Sequence, residues 1–345
     1  MKALVLRSVG QLELADVPRP EPGPGQLLVR TEAALICTSD LNDIRENPFG
    51  IALPVVIGHE ASGVVAGVGE KVEGFEIGDR VATHPVHPCG GCVNCLTGVR
   101  HLCARMEHFG INLQGTFAEC YVVRADRARV VGRDMPAYVA ALAEPVSVCL
   151  EALAQARVKA GDSLLVIGDG PFGVLIARLA AGMGLGNTVI AGRHELRLRF
   201  ARDAVRVNAK RLGDETAAAL RKAAQSPAGY DAVVLAVGSA KAVKEGLALL
   251  RPKGRLVVFS AVSGKTPVDL FDVHVRELEI IGACNDQDRF DGAVKQLADP
   301  GLGLADLVTH RFRLEQYQDA FRLAAEGHDE AMKVAIVFDD GGSLR

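Results

Sequence analysis

The chain contains the run Ser163-Leu164-Leu165-Val166-Ile167-Gly168-Asp169-Gly170-Pro171-Phe172-Gly173, which is its clearest indication of fold. An apolar, β-rich segment leads directly into a G-x-G-x-x-G pattern, which opens a segment with helical spacing at 174–183. This context predicts a dinucleotide-binding strand, turn and helix. Gly168 permits the tight turn, Gly170 lets the backbone approach a pyrophosphate, and Gly173 lets the helix pack on the sheet. Pro171 and Phe172 lie in the first helical turn, whose amides favour phosphate.

The surrounding sequence predicts two domains in an α/β fold. Further apolar runs alternate with amphipathic helical segments and lie at 188–191, 231–237, 255–260 and 278–282. This alternation predicts a doubly wound Rossmann domain with a parallel sheet over 149–285. Short strands broken by Gly and Pro fill the first 140 residues and predict an antiparallel, barrel-like domain. We expect 286–345 to return to it, giving a catalytic domain of 1–148 and 286–345 and a ligand cleft between the domains.

Two groups of residues have the composition of metal sites. Four thiols within fifteen residues, in a lobe at 86–106, predict a closed structural zinc site; they are Cys89, Cys92, Cys95 and Cys103. A second group mixes a thiol, an imidazole and carboxylates, as catalytic zinc sites do; it comprises Cys37, His59, Glu60 and Glu144. We therefore predict two Zn²⁺ ions per chain, one structural and one catalytic.

The end of the second Rossmann strand bears on cofactor choice. An NAD-preferring site places an acidic residue about 20 residues after the fingerprint, on the ribose hydroxyls. Here Gly192 takes that position, and Arg193 and Arg197 follow. A guanidinium in place of a carboxylate favours a 2′-phosphate, so we predict that NADP(H) is preferred over NAD(H). Glu195 is the alternative acidic reader if the register differs by three residues.

Composition excludes several classes of protein. The 345 residues are 49% hydrophobic and 23% charged with a net charge of −3, which gives no reason to expect nucleic acid or a membrane as partner. No apolar run approaches about 18 residues. Eight cysteines with no secretion signal point to a reducing, cytoplasmic location. The apolar run 278–282 reads as an exposed sheet edge and predicts a homodimer or homotetramer.

These motifs resemble, over essentially the whole chain and in the same order, the zinc-containing medium-chain alcohol dehydrogenases. The motifs are Cys37-Thr38-Ser39-Asp40, Gly58-His59-Glu60, the four-cysteine lobe, Glu144-Pro145-Val146-Ser147 and the Rossmann fingerprint. The Glu144 motif is closest to the polyol, sorbitol and threonine dehydrogenase branch. The resemblance implies a GroES-like catalytic domain, with zinc held by Cys37, His59 and either Glu60 or Glu144.

The implied reaction interconverts a secondary alcohol and its ketone by hydride transfer to or from NAD(P). The substrate would be a polyol, sugar or amino alcohol, and Ser39 takes the place of the family's proton-relay hydroxyl. The next relay position, usually His, is Asn42 here, so Asp43 or water would have to substitute. Asp40 is expected to be a buried carboxylate that supports the site and not the base.

Several assignments stay open at the level of sequence. Asp288, Arg289 and His310 are either substrate contacts or ordinary surface, and the three cysteines outside both metal groups are expected to be small buried residues; they are Cys120, Cys149 and Cys284. The alternatives are an NAD-dependent polyol or threonine-type dehydrogenase, a non-catalytic nucleotide-binding relative, and a zinc-independent quinone or enoyl reductase. The last of these typically lacks the metal ligands found here.

Overall fold

In the computed structural model, which describes residues 1–338, the strands and helices follow two different patterns along the chain. Numbered in chain order, the strands are β1 Lys2–Ser8, β2 Gln11–Asp16, β3 Gln26–Leu35, β4 Val55–Val56, β5 Glu60–Val68, β6 Arg80–Thr83, β7 Val86–His87, β8 Glu107–His108, β9 Cys120–Arg124, β10 Ala128–Val130, β11 Ser163–Ile167, β12 Asn187–Gly192, β13 Val205–Asn208, β14 Tyr230–Leu235, β15 Leu250–Val258, β16 Glu279–Gly282, β17 Val308–Arg313 and β18 Lys333–Val337.

The helices are numbered in the same way. They are α1 Thr38–Arg45, α2 Val93–Leu96, α3 Ala137–Ala140, α4 Ala143–Ala156, α5 Pro171–Ala181, α6 Glu195–Arg199, α7 Ala209–Leu212, α8 Thr216–Ala223, α9 Ala240–Leu249, α10 Leu270–Val275, α11 Phe290–Leu297 and α12 Tyr317–Glu326. Short 3-10 helices lie at Arg100–Leu102, Ala125–Arg127, Gly213–Glu215, Pro300–Leu302, Leu304–Leu307 and Leu314–Gln316.

The first compact unit contains Met1–Val146, Phe290–Gly327 and residues 331–338. Its main sheet has the order β10-β6-β5-β3-β18-β17, and β9 pairs with the other end of β3. All its strand pairs are antiparallel except β17 with β18. Smaller sheets form from β2-β1-β4 and β7-β8. The predicted antiparallel architecture is confirmed, and β18 pairs with β3 within it.

The second compact unit contains Ser147–Arg289 and His328–Glu330. Its sheet is parallel throughout, with the order β13-β12-β11-β14-β15-β16. Counted from β11 this order is 3-2-1-4-5-6, the order of the dinucleotide-binding doubly wound sheet. All five residues of β11 are buried, because helices cover both faces of such a sheet. The predicted Rossmann domain is confirmed.

Three details differ from the sequence predictions. Strand β13 was missed, because half of its four residues are polar and it lies at the sheet edge. Residues 328–330 belong to the second unit, although they lie within the segment predicted to return to the first. The stretch Ala137–Ala156, which contains α3 and α4, includes an 18-residue window that is apolar enough to cross a membrane, with a mean hydropathy of 1.5, but 78% of that window is buried inside the protein.

Candidate active site

Three of the four predicted catalytic metal ligands converge in the first unit. The donor atoms of Cys37, His59 and Glu60 all lie within 4.8 Å of one another. The strands explain this, because β3 and β5 are antiparallel neighbours in which Leu35 faces Glu60. The residues just after β3 and just before β5 must therefore meet. Gly58, directly before His59, has φ +98°, and a Cβ there would lie 2.5 Å from the ring of Phe117, so the position has no room for a side chain.

Asp40 organises this group from the first turn of α1. Its carboxylate accepts a hydrogen bond from the backbone N–H of Cys37 at 2.9 Å, and its other oxygen lies 3.4 Å from Nδ1 of His59. A carboxylate on one ring nitrogen fixes the tautomer and leaves Nε2 for a metal. Burial opposes the charged imidazole, but Asp40 and Cys37 together raise the pKa of His59 well above its ordinary value. Burial also raises the pKa of the Cys37 thiol, with Glu60 adding to the effect.

A buried lysine that the sequence analysis missed completes the group. Lys333, the first residue of β18, places its Nζ 2.6 Å from Oε2 of Glu60 and 2.7 Å from Oε1. Both side chains are enclosed, at 3% and 0% exposure. Burial alone would lower the pKa of Lys333, but the charges of Glu60 and Cys37 raise it. The ammonium therefore neutralises a carboxylate that also belongs to the donor group.

Glu144 does not join the group, although it lies in the same unit. It is the second residue of α4 and is 8% exposed, and its negative charge contributes to the raised pKa of Lys333. Its oxygens are not among the donor atoms that lie within 4.8 Å of one another. Glu60 thus lies closer to the other donors than Glu144 does, but Glu60 is also the ion-pair partner of Lys333.

The predicted proton-relay residues lie on α1. Oγ of Ser39 is 3.5 Å from Nε2 of His59, so the hydroxyl faces the donor group. Asn42 instead accepts a hydrogen bond from Arg45 at 3.1 Å. Asp43 follows Ser39 by one helical turn and is buried, which with the neighbouring charge of Asp40 raises its pKa to about 6. The helix therefore carries a titratable carboxyl one residue beyond the expected position.

The four-cysteine lobe has the spacing of a tetrahedral metal site. The donor atoms of its cysteines lie within 4.8 Å of one another, and none forms a disulfide. Sγ of Cys92 is 3.5 Å from that of Cys95 and 3.7 Å from that of Cys103. A zinc with Zn–S bonds of about 2.3 Å requires S···S distances of about 3.8 Å. A hydrogen bond from the Gly91 backbone lowers the pKa of Cys89 to about 6, which favours its thiolate.

The fingerprint has the shape that a pyrophosphate requires. Gly168 has φ +125°, and a Cβ there would lie 2.5 Å from the Ala236 carbonyl oxygen. A Cβ on Gly173 would lie 1.9 Å from the Gly168 carbonyl, so helix and strand approach closely. Nothing lies within 4 Å of a Cβ on Gly170, where α5 begins with Pro171 at its first position. The residues therefore fit a dinucleotide at this helix N-terminus.

A carboxylate that the sequence analysis did not consider lies against the end of β12. The strand ends at Gly192, and a Cβ there would lie 2.3 Å from Cβ of Asp169. Asp169 comes from the fingerprint itself and accepts hydrogen bonds from the backbone N–H groups of Arg193 and His194, both at 2.6 Å. Glu195 lies elsewhere, since it accepts a hydrogen bond from Asn208 on β13. The acidic residue between Gly168 and Gly170 is the sequence signal that could have revealed this carboxylate.

Comparison with known proteins fits this architecture. Models of two families match the chain, the alcohol dehydrogenase GroES-like domain at residues 23–133 and the zinc-binding dehydrogenase at 171–299. A D-altritol 5-dehydrogenase of Agrobacterium fabrum is 32% identical over 323 residues, which is 92% of this chain and 94% of that one. The chain belongs to the zinc-containing medium-chain alcohol dehydrogenase family.

Other members of the family confirm the predicted branch and class. An L-threonine 3-dehydrogenase of Chromobacterium violaceum is 29% identical over 95% of this chain and 97% of its own length. A zinc-binding dehydrogenase of Sinorhizobium meliloti 1021, solved with NADP, has a TM-score of 0.89 at 27% identity and covers 98% of this chain and 99% of its own. An Escherichia coli CFT073 alcohol dehydrogenase solved with NADH gives the same four figures. This medium-chain dehydrogenase is therefore an alcohol or polyol dehydrogenase.

The remaining candidate residues of this dehydrogenase have partners of their own. Arg289 lies 3.1 Å from the buried Glu151, within the second unit. Nδ1 of His310 lies 3.0 Å from Oγ1 of Thr309, its neighbour on β17. Cys149 is fully buried, with Sγ 3.7 Å from the Phe172 carbonyl, and Cys120 is also buried. The expectation for Cys284 is wrong, because it follows the edge strand β16 and is exposed.

Proposed function

We propose that the chain is a zinc-dependent NAD(P)(H) oxidoreductase that interconverts a secondary alcohol and its ketone, with NADP(H) preferred. A polyol, sugar or amino alcohol is the proposed substrate class, since relatives named for altritol and threonine share most of the chain length. The observation that carries the proposal is the buried group of Cys37, His59 and Glu60, with Asp40 fixing the imidazole.

Cys37 and His59 would hold the catalytic zinc, with Glu60 as third ligand and Glu144 as its rival. Zinc, when bound, supplies Lewis acidity toward the substrate oxygen. Asp40 contacts Nδ1 of His59, which would leave Nε2 for that ion, and it holds the turn at Cys37 through the Cys37 backbone N–H. Lys333 balances the charge of Glu60, so that one buried carboxylate is tolerated beside a thiolate.

Ser39 would pass on the proton of the alcohol. Its hydroxyl both donates and accepts hydrogen bonds and faces the donor group. Asn42 does not titrate in a useful range, so a relay along α1 ends at Asp43 or at water. Asp43 is suited to accept a proton near neutrality because burial and Asp40 raise its pKa to about 6.

The proposed preference for NADP(H) rests on Gly192, which offers no ribose acceptor, and on the exposed Arg193 that follows it. Arg197 adds a second positive charge on the next turn of α6. Asp169 favours the second candidate function, an NAD-dependent polyol or threonine-type dehydrogenase. Its carboxylate lies where the side chain of a larger residue at 192 would begin, and its Oδ1 is 3.2 Å from Nδ1 of His194. That oxygen is able to accept a ribose hydroxyl.

Two zinc ions per chain are proposed, the second in the lobe of Cys89, Cys92, Cys95 and Cys103. This ion would have no open position and would stabilise the lobe alone. A cytoplasmic location is proposed from the eight cysteines, none of them in a disulfide within the described chain.

A homodimer or homotetramer is proposed through the free edge of the parallel sheet. Ile280 of β16 is 43% exposed there, and the adjacent segment α10 exposes Leu270 and Phe271 at 73% and 76%. An uncovered strand edge beside apolar surface favours pairing with a second copy. Sedimentation of the wild type and of Ile280→Lys checks this, with a shift toward monomer expected for the variant.

Zinc content and a cofactor-matched substrate screen test the function. We expect two zinc ions per chain and oxidation of secondary alcohols with NADP. Glu60→Gln and Glu144→Gln identify the third ligand, because only one should lose the catalytic ion. One zinc per chain in the wild type, together with no turnover of any alcohol with either cofactor, would favour the non-catalytic nucleotide-binding relative.

A further inference from the structure

A cluster of charged and titratable side chains surrounds the turn that follows β12 in the second unit. The rings of His194 and His328 lie 5.3 Å apart between centroids and are tilted by 48°. Nδ1 of His194 is 3.2 Å from both oxygens of Asp169. Arg197 on α6 and Asp329, the residue after His328, are the other charged groups that act on His328. The segment 328–330 thus returns to the second unit at the fingerprint and the end of β12.

Asp169 fixes the shape of this turn. Its Oδ2 accepts the backbone N–H groups of Arg193 and His194, and there is no room for a Cβ at Gly192. Two amides that could have bound a phosphate are therefore occupied by a carboxylate of the chain itself. A phosphate in this region must be recognised by side chains, and the carboxylate would repel it unless nearby cations offset that repulsion.

The available cations differ in how they respond to pH. Arg193 is exposed, and within residues 1–338 its guanidinium has no hydrogen bond or ion pair. Arg197 is 8% exposed and remains charged near neutrality. Burial lowers the pKa of His328, and the positive charges of Arg197 and His194 add to this effect, while Asp169 and Asp329 oppose it. A neighbouring dianion would reverse the balance and favour the protonated imidazole.

We propose that His328, packed against the Asp169-bound ring of His194 and assisted by Arg193, forms a proton-dependent part of the site for the 2′-phosphate of NADP(H). Selectivity for NADP(H) over NAD(H) then rises as pH falls, because the imidazole of His328 becomes a cation that offsets Asp169. The inference rests on the proposed NADP(H) preference and extends it by naming the residues from which it arises. Within the cluster, Asp169 and His194 are positioning residues and His328 is the specificity residue.

Binding measurements test this without turnover. The dissociation constants of NADPH and NADH are measured by cofactor fluorescence between pH 6 and 9, for the wild type, His328→Gln and the control His274→Gln. His274 lies on α10 and is exposed, so its loss should change nothing. We expect the ratio of the two constants to change at least tenfold across this range, about 1.4 kcal/mol, in the wild type and control. The ratio should be nearly constant in His328→Gln.

Calorimetry in two buffers of different ionisation enthalpy adds a readout on the wild type alone. NADPH binding at pH 7.5 should take up protons relative to NADH binding, because His328 gains a proton when the phosphate binds beside it. Tighter NADPH binding with no pH dependence and no proton uptake would overturn this inference and leave the cofactor preference standing. NADH binding as tight as NADPH at every pH would overturn the preference itself. A folded His328→Gln that keeps the full pH dependence would also refute the assignment.

Discussion

Replacement of Lys333 by Met tests the buried charge balance beside the proposed zinc ligands. Methionine keeps the apolar stem but leaves Glu60 unpaired at 0% exposure. At the observed 2.6 Å, two unit charges attract by roughly 6 kcal/mol with an effective dielectric constant of about 20. Desolvation offsets part of this, and removal of one partner from a buried pair typically costs about 3–5 kcal/mol. For a cooperative unit of about 200 residues, this corresponds to roughly 6–20 °C in melting temperature.

The assay is thermal and urea denaturation of metal-depleted and zinc-saturated protein, with zinc content measured in each sample. Zinc should shrink the loss, because the cation replaces Lys333 as the partner of Glu60. Lys2→Met is the matched control in the same unit. Its ion pair with Asp16 is 2.7 Å long but 47% and 73% exposed, so its loss should leave the midpoint unchanged.

The double variant Glu60→Gln, Lys333→Met should recover most of the stability, since no buried charge is left without a partner. A metal-depleted Lys333→Met protein that melts with the wild type would refute the reasoning. So would a loss of equal size with and without zinc.

Three further predictions concern other parts of the chain. Cys95→Ser should lose one zinc per chain and increase proteolysis within the lobe, while NADPH binding stays as in the wild type; loss of both zincs would contradict independent sites. Gly192→Asp should weaken the binding of both cofactors, because its Cβ would lie 2.3 Å from that of Asp169. The double variant Gly192→Asp, Asp169→Gly should instead bind NADH more tightly than NADPH. Fluorescence titrations with NADH and NADPH measure both effects. Burial lowers the pKa of His87 to about 4, so the unfolded chain binds a proton that the folded protein does not. Through this residue, the free energy of unfolding should fall by about 2 kcal/mol between pH 7 and 5. In urea titrations at both pH values, the fall measured for His87→Phe should be smaller than that of the wild type by this amount.

Sequence pattern was sufficient for the parts of the fold that depend on local composition. The buried run at Ser163–Ile167 and the glycines after it specify a strand, a turn and a helix within eleven residues. The four-cysteine lobe is equally local, because all its ligands lie within one loop. Such features are readable because the residues that cooperate are close in sequence.

The missed features depend on partners that are distant in sequence. Lys333 reads as a polar residue at the start of an apolar strand, and only the pairing of β18 with β3 brings it to Glu60, 273 residues away. His328 reads as part of a polar loop, and its packing on His194 has no local signal. Asp169 was visible within the fingerprint, but its effect on Gly192 depends on the close approach of the turns after β11 and β12.

The return of β18 to β3 also sets an order of events during synthesis. The apolar segment Ala33–Leu35 of β3 pairs with β18, and the whole sequence 147–289 is translated between them. At roughly 5–20 residues per second, the 273 residues from Glu60 to Lys333 take about 14–55 s to make. During that interval the parallel sheet is able to fold, while one flank of β3 stays unpaired and open to chaperones or to other chains. The charge partner of Glu60 is therefore synthesised well after Glu60 itself.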